Sequence, residues 1–316
     1  MILVCGEALI DLFVGDADGT ALTARAIPGG SPFNVAIGLA RLGTSVAFLG
    51  GLSNDRFGRL LADTLAGEGV GTRFLKRSAL PTPMVVVSPD AEGQPDYVFH
   101  VADCADRALT AADLPPPGAG ITAIAMGSYS LSVEPVASAL LALAGREKDH
   151  LVISLDPNLR PSIVGDLALW RQGFQRFVRT ASIVKLSRED LTTAYGDVDP
   201  AALAAGWFQD GVLLVVVTDG DKGATAYHPD RVMHRPGRPI VVADTVGAGD
   251  TFHAALLARL AQNGLLSRAA LAALDAAALA DLLDYAGTAA SITCTRRGAD
   301  LPSAADVAEA LDVPRA

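Results

Sequence analysis

The stretch Ala243–Leu257 contains the residues best able to do chemistry. Gly247 and Gly249 bracket one alanine, and Asp250 follows them directly, before an uninterrupted run of Ala, Leu and Phe. Glycines allow the backbone to turn and approach a ligand closely, and the run from Thr251 to Gln262 predicts a helix. Backbone N–H groups at a helix start attract anions. The stretch therefore predicts a phosphate-type anion site beside a carboxylate that can accept a proton.

A simpler interpretation of the same residues stays open. Aspartate is a favoured N-cap residue, so Asp250 could begin the helix while the glycines only turn the chain. His253, one turn further on, is predicted to be a partly buried filler rather than a catalytic base.

A second glycine-rich stretch lies near the start of the chain. Ser31 and Pro32 suit the N-cap and first position of a helix that ends at Gly43. An ordinary capped helix explains those two residues but predicts neither the glycine pair 29–30 before them nor Asn34 after them. We expect the glycine pair to lie flat against a ligand and the Asn34 amide to reach hydroxyl groups.

Asp11 and the segment 218–223 are further candidates, each just beyond a predicted strand. Ligands of α/β proteins bind at such strand ends, although Asp11 could equally be a solvated turn carboxylate. In the second segment, Thr218, Gly220 and Gly223 could place a hydroxyl and two glycines against a nucleotide. Turns of this composition are common, so the signal is weak by itself.

These pieces suit phosphoryl transfer. That reaction needs positioning, neutralisation of phosphoryl oxygens and a base for the attacking hydroxyl. Asp250 and the backbone amides of Val246–Gly249 supply a base and an anion hole in one turn. Neither GxGxxG nor GxxxxGK[ST] occurs, which argues against a nicotinamide dehydrogenase and a P-loop kinase; GxSxG and HExxH are also absent.

The rest of the chain alternates strands and helices, which predicts an α/β fold with a doubly wound, mostly parallel sheet covered on both faces. Strands are predicted at Ile2–Cys5, Val46–Gly50, Thr122–Met126, Leu151–Leu155, Ser182–Lys185 and Val212–Val217. Helices are predicted at Arg56–Ala66, Pro135–Ala144, Leu167–Phe177, Arg188–Tyr195, 200–208 and, as one Ala-rich helix, Arg268–Ala290.

Three hairpins interrupt this alternation. They pair 9–14 with 21–27, Met84–Ser88 with Tyr97–Val101 through a turn at 90–93, and Thr225–His228 with Ile240–Val242. The first two predict a small β-sheet lid, built from residues of about 9–28 and 84–107, on a single domain that spans residues 1–316.

Composition excludes several classes of protein. The 316 residues carry a net charge of −10, and no basic run is longer than two residues, as at Arg296-Arg297, so a nucleic-acid partner is not expected. No apolar run reaches the roughly 18 residues of a membrane span, and the first residues do not resemble a signal peptide. Three scattered cysteines, none in a CxxC pair, suit a reducing compartment. The predicted location is the cytoplasm.

Four segments together resemble the ribokinase-like sugar kinases (the PfkB carbohydrate kinases), and most closely the bacterial fructokinases in that family. They are GGSPFNVAIGLARLG, DPNLRP at 156–161, VTDGDKGA, and DTVGAGDTFHAALL. The resemblance runs in matching order from Gly6 to Gly298. It implies the doubly wound α/β domain with a β lid, ATP as phosphoryl donor, Mg²⁺, and a monovalent cation such as K⁺.

The resemblance also implies roles for individual residues. The implied base is Asp250, and the anion hole is formed by Gly247, Ala248 and Gly249. The implied sugar-binding residues are Asp11, Gly29, Gly30, Asn34, Phe99 and Arg160, of which Arg160 could instead face the phosphate. The implied nucleotide-binding residues are Lys185, Thr218, Gly220 and Gly223. The implied ion-binding residues are Glu189 for Mg²⁺ through water, and Asp244, Val246 and Gly298 for the monovalent cation.

Two departures from the family pattern bear on function. Glu189 matches the glutamate of an N-x-x-E element that organises Mg²⁺, but Leu186 stands in place of the asparagine. The lid strand 97–101 lacks the arginine that relatives acting on 2-keto-3-deoxygluconate carry, which favours a neutral sugar, although Arg107 or Arg160 could still bind a carboxylate.

The predicted activity is ATP-dependent phosphorylation of a ketohexose, D-fructose at its C6 hydroxyl. The alternatives are a 2-keto-3-deoxygluconate kinase, a ribokinase or nucleoside kinase, and a non-catalytic sugar sensor on the same fold. A homodimer joined through the lid sheets is also expected, because open sheet edges invite pairing.

Overall fold

A nine-stranded sheet forms the centre of the fold in a computed structural model, which describes residues 1–89 and 95–312. Its strands are β1 (Ile2–Cys5), β4 (Val46–Ser53), β5 (Gly71–Ser78), β8 (Ala123–Gly127), β9 (Val152–Asp156), β10 (Ile183–Ser187), β11 (Leu214–Thr218), β12 (Ala224–His228) and β13 (Arg231–Arg235). Their spatial order is β13-β12-β11-β10-β9-β8-β1-β4-β5. The pairs from β5 to β11 are parallel, and β12 and β13 add an antiparallel edge.

Helices cover both faces of this sheet. They are α1 (Ser31–Arg41), α2 (Arg56–Gly67), α3 (Val136–Glu147), α4 (Pro161–Val164), α5 (Leu167–Val178), α6 (Arg188–Tyr195), α7 (Pro200–Gln209), α8 (Ala248–Gln262), α9 (Arg268–Ala272), α10 (Ala276–Cys294) and α11 (Ala304–Asp312). Successive side chains of a strand point to opposite faces. Ile2 and Val4 of β1 accordingly pack in one core with α1, α2, α8 and α10, whereas Leu3 and Cys5 pack in another with α3, α5, α6 and α7. The predicted fold class is confirmed.

The strand order reverses at β1. From β1 the chain moves to β4 and β5 on one side, then returns to β8 on the other and continues outward from there. Ligands of open α/β sheets bind beyond the carboxyl ends of the strands at such a reversal. The fold therefore predicts a ligand site near the residues that follow β1 and β8.

A second sheet of four strands stands over these carboxyl ends. It consists of β2 (Leu9–Asp18), β3 (Ala21–Gly29), β6 (Met84–Pro89) and β7 (Pro95–His100), in the order β3-β2-β6-β7. The outer pairs are antiparallel, as the two predicted hairpins require, and β2 pairs with β6 in parallel. The turn predicted at 90–93 lies outside the described residues.

Two sequence-based predictions of secondary structure are wrong, and one strand was not predicted at all. The Ala-rich stretch forms two helices, because Asp275 caps a new helix by accepting a hydrogen bond from the backbone N–H of Ala278. Strand β12 pairs with β13 across a two-residue turn rather than with Ile240–Val242. The latter segment follows two prolines, which lack the N–H donors of a sheet, and the side chain of Val241 is 90% exposed. Strand β5 was not predicted.

None of the helices in the described part of the chain is both long and apolar enough to cross a bilayer.

Candidate active site

A cavity of about 1200 Å³ lies between the small sheet and the carboxyl ends of the main strands. Val85 and Phe99 line it from the small sheet, and the start of α8 lines it from the opposite side. Of the predicted site residues, the following line it: Asp11, Gly30, Asn34, Phe99, Arg160, Lys185, Glu189, Thr218, Gly220, Gly223, Val246, Gly247, Ala248, Gly249 and Asp250. Gly29, Asp244 and Gly298 lie behind this wall.

The glycine turn before α8 has the geometry of an anion site. Gly247 is the N-cap residue in a left-handed conformation with φ of 78°, and a Cβ there would lie 2.7 Å from that of Ala299. The helix begins at Ala248, three residues earlier than predicted. Its first N–H groups lack intrahelical acceptors, and they belong to residues that line the cavity. Asp250 therefore lies inside the first turn and is not the cap.

The Asp250 carboxylate is held by the first turn of α1. The Ser31 hydroxyl donates to its Oδ1 at 2.6 Å, and the Asn34 Nδ2 donates to its Oδ2 at 2.8 Å. Ser31 was predicted to cap α1, but Gly30 occupies the N-cap, with φ of 107° and no side-chain cap bond. A buried carboxylate needs hydrogen bonds, and that need explains why both side chains turn to Asp250.

Burial and nearby charges change the pKa of both carboxyl groups in this region. Burial raises the pKa of Asp250, and so does the charge of Asp156, against the lowering effects of Ser31, Asn34 and Lys185. Burial also raises the pKa of Asp11 to about 6, with a further contribution from Asp250, while Arg160 lowers it. Asp11, Arg160 and Asp250 thus act on one another electrostatically across one cavity.

Lys185 lies beside the anion turn, in the middle of β10. Its Nζ donates to Asp156 Oδ2 at 2.7 Å, and both side chains are almost completely buried. A Cβ on Gly249 would lie 3.2 Å from the same Nζ. An ammonium group and the helix N-terminus therefore converge on one place, which favours a multiply charged anion there.

His253 is fully buried behind this place, rather than partly buried as predicted. Its Nε2 lies 2.7 Å from the Ser154 hydroxyl, and burial, followed by the nearby Lys185 charge, lowers its pKa to about 3. It is therefore neutral at ordinary pH.

The other end of the cavity is formed by the segment after β11. Gly223, with φ of 96°, lets the chain pass close to the backbone of Arg235, since a Cβ would lie 2.1 Å from that carbonyl oxygen. Arg238, Ile240 and Val242 continue the wall, and Cys294 closes it from α10. This end of the cavity therefore has both polar and apolar side chains in its wall.

Two groups of predicted residues contribute indirectly, because they position other groups. A Cβ on Gly29 would lie 2.2 Å from Asp11 Oδ2, so the glycine makes room for that carboxylate. The Asp244 carboxylate accepts the backbone N–H groups of Val246 at 3.1 Å and of Gly298 at 2.8 Å. The structure thus brings together the three residues predicted for a monovalent cation. Arg160, by contrast, donates to the carbonyl oxygen of its neighbour Leu159.

Glu7, Ser128, Tyr129 and Asp156 also belong to this region, although no sequence motif predicts them. Glu7 follows β1 after one glycine and Ser128 directly follows β8, so both occupy the reversal of strand order. Their positions after apolar strands were the available signal, but only the spatial order of the strands shows that they are neighbours.

Comparisons with known proteins agree with this arrangement. A fructokinase of Rhizobium leguminosarum bv. trifolii is 39% identical over 279 residues, which cover 88% of this chain and 85% of the relative. A crystal structure of a fructokinase from Xylella fastidiosa with bound ATP matches with a TM-score of 0.91 at 26% identity, and covers 98% of each chain. A fructokinase from Vibrio cholerae O395, with fructose, ADP and calcium ion bound, matches with a TM-score of 0.82 at 28% identity, again over 98% of each chain.

The fold and the site define an α/β kinase with an anion turn at a helix start. The sequence profile of the pfkB family of carbohydrate kinases matches residues 1–306, and the chain belongs to that family. It is an enzyme, a carbohydrate kinase, as the resemblance implied.

Proposed function

We propose that the protein transfers the γ-phosphoryl group of ATP to the C6 hydroxyl of D-fructose. One observation carries the proposal: a carboxylate, an ammonium group and the N–H groups of a helix start meet at one wall of a cavity. The ligands named for the Xylella and Vibrio structures, ATP in one and fructose with ADP in the other, support the choice of donor and acceptor.

Asp250 acts as the base in this proposal. Its carboxylate accepts the proton of the attacking hydroxyl, while Ser31 and Asn34 hold it in place. The N–H groups of residues 247–249 donate to the phosphoryl oxygens, and Lys185 offsets their charge. No covalent bond to the protein is required.

The sugar lies between the small sheet and α1. Asp11 and Arg160 bind its hydroxyl groups, Phe99 covers it, and the backbone of Gly30 lies against it. Asn34 contributes mainly through its hold on Asp250, and Gly29 through the room it leaves for Asp11. Within this proposal, the small sheet is a lid on a single domain.

The nucleotide lies along the residues that follow β11. Thr218, Gly220 and Gly223 line its end of the cavity. Bound ATP supplies the phosphoryl group and its own phosphates supply most ligands of Mg²⁺, which is commonly held by one or two carboxylates, waters and substrate phosphates. Glu189 fits this description, since it presents a single carboxylate to the cavity. It acts through water, and the loop of Asp244, Val246 and Gly298 takes K⁺. The use of ATP supports a cytoplasmic location.

The test is a panel of sugars with ATP. We expect D-fructose to give the highest kcat/KM, with fructose 6-phosphate as the product identified by NMR. Preference for 2-keto-3-deoxygluconate or for ribose would overturn the choice of substrate. Sugar binding by calorimetry without release of ADP would instead indicate a sensor.

We also propose a homodimer joined through the lid sheets. Five apolar side chains of this sheet are exposed: Phe13, Leu22, Ile27, Tyr97 and Val98. A second copy would cover them. Light scattering should give the mass of two chains, and Leu22→Lys should lower it toward one. A monomeric mass for the unmodified protein at micromolar concentration would contradict the proposal.

A further inference from the structure

A second polar wall faces the same cavity, away from the phosphate site. Strands β1 and β8 pair in register, so the residues that follow them, Glu7 and Ser128, emerge side by side. Glu7, Ser128 and Tyr129 all line the cavity. None of them has a part in the proton and phosphoryl transfer described above.

This wall contains buried polar groups with incomplete hydrogen bonding. Glu7 is 1% exposed and accepts a hydrogen bond from the Ser130 hydroxyl. The Tyr129 hydroxyl lies beside the Asp106 carboxylate, and these buried atoms have no hydrogen bond of ordinary geometry among the described residues. A buried polar group left unpaired costs about 1–3 kcal/mol. Such groups persist in native proteins where water or a ligand satisfies them.

The three acidic groups influence one another. Burial raises the pKa of Glu7 to about 7 and that of Asp106 to about 6, and the nearby Asp106 charge contributes to the rise at Glu7. Burial and these two carboxyl groups raise the pKa of Tyr129 well above its usual range. The wall therefore offers O–H donors together with oxygen acceptors near neutral pH. Alcohol groups, which both donate and accept, match it, whereas a substrate carboxylate would meet like charge.

A chain of contacts relates this wall to the proposed base. Asp250 is bonded to Ser31 and Asn34 in the first turn of α1, and Gly30 precedes that turn. A Cβ on Gly30 would lie 3.0 Å from the Glu7 carbonyl oxygen, so the backbones of Gly30 and Glu7 are in contact. The start of the wall at Glu7 therefore lies next to the turn that holds Asp250.

We propose that Glu7 and Tyr129 form a subsite that binds the hydroxyl groups at the non-reacting end of the sugar and so selects for an uncharged polyol. The inference rests on the proposed function and deepens it. For a ketohexose phosphorylated at C6, the non-reacting end carries the C1 hydroxymethyl group.

The test is Tyr129→Phe, which removes one hydroxyl and keeps the ring. We expect the KM for D-fructose to rise about tenfold, with the KM for ATP unchanged and kcat within about twofold, since a tenfold change is the usual scale of one neutral hydrogen bond. The unmodified enzyme should prefer D-fructose to 1-deoxy-D-fructose, because a site built for a hydroxyl rejects the analogue that lacks it. The variant should lose most of that preference.

Tyr195→Phe is the matched control. The Tyr195 hydroxyl is also buried without a partner among the described residues, but its ring packs edge-on against Trp207, and it does not line the cavity. This variant should keep the sugar KM and the preference between the two sugars. A Tyr129→Phe enzyme with the same sugar KM and preference as the unmodified enzyme would overturn the subsite, and would indicate that the hydroxyl contacts water only.

Failure of the subsite is distinguishable from failure of the proposed function. If the unmodified enzyme phosphorylates D-fructose and Tyr129→Phe changes nothing, only the subsite fails. If it phosphorylates no sugar, calorimetry still decides the subsite: tighter binding of D-fructose by the unmodified chain than by the variant supports it, and equal binding or no binding overturns it.

Discussion

Replacement of Asp250 by asparagine should lower turnover by about 10²–10⁴-fold, the usual contribution of a positioned base. The asparagine side chain is nearly isosteric: its oxygen can accept from the Asn34 amide while its NH2 group donates to the Ser31 hydroxyl, so the fold should persist. The substitution removes the proton acceptor and leaves the anion turn in place. Steady-state kinetics with D-fructose and ATP, together with thermal unfolding of the variant, measure both parts of the prediction.

The pH profile gives an independent check. The base must be ionised to act, and burial raises the pKa of Asp250, so kcat/KM should fall as the pH decreases through a value above the roughly 3.9 of an ordinary aspartate. Ser31→Ala is the matched control, because it removes one hydrogen bond to the carboxylate but keeps the carboxylate. It should shift this acid limb to higher pH and retain far more turnover than Asp250→Asn. Near-normal turnover in Asp250→Asn would remove this residue from its role as the base.

Lys185→Met should destabilise the protein by about 3–5 kcal/mol, because it removes one partner of a buried ion pair and leaves the Asp156 carboxylate buried and uncompensated. It should also lower turnover, since it removes the cation beside Gly249. Urea unfolding followed by circular dichroism measures the first effect, and kinetics at saturating sugar and ATP measure the second.

A double variant separates the two effects. Asp156→Asn combined with Lys185→Met leaves no unpaired charge, so most of the lost stability should return. Turnover should stay low if the ammonium group acts on the phosphates. A Lys185→Met protein as stable as the unmodified one would show that the pair contributes little to folding, whereas recovery of turnover in the double variant would remove Lys185 from the phosphate site.

Local patterns in the sequence were enough to predict most of the fold and part of the site. Apolar runs followed by Gly or polar residues identified all the parallel strands of the main sheet except β5, and the structure adds the order of the strands. The glycine turn before Asp250 was also predicted, because two glycines directly precede a helix-forming run. In the structure, Gly247 has a left-handed conformation next to the start of the helix.

Pairings between distant segments could not be predicted in this way. Ser31 is a residue type that commonly caps helices, so the sequence predicts a cap. Only the structure shows that its hydroxyl lies 2.6 Å from the carboxylate of Asp250, 219 residues away along the chain, and donates to it. Asp156 ends β9 and Lys185 lies in the middle of the adjacent strand β10, but no spacing rule pairs them. The sequence around Tyr129 predicts an ordinary core aromatic, and only the structure shows that this residue lines the cavity.

The contact between the first turn of α1 and Asp250 bears on how the protein is made. A chain leaving the ribosome exposes α1 long before α8 emerges, and N-terminal parts of a protein begin to fold first. The apolar face of α1 therefore stays partly exposed until α8, which is synthesised much later, packs against it. Because α1 and α8 are far apart along the chain, forming the contact between them slows folding more than it lowers the stability of the folded protein. Nascent chains that stop short of α8 would expose apolar surface and depend on chaperones.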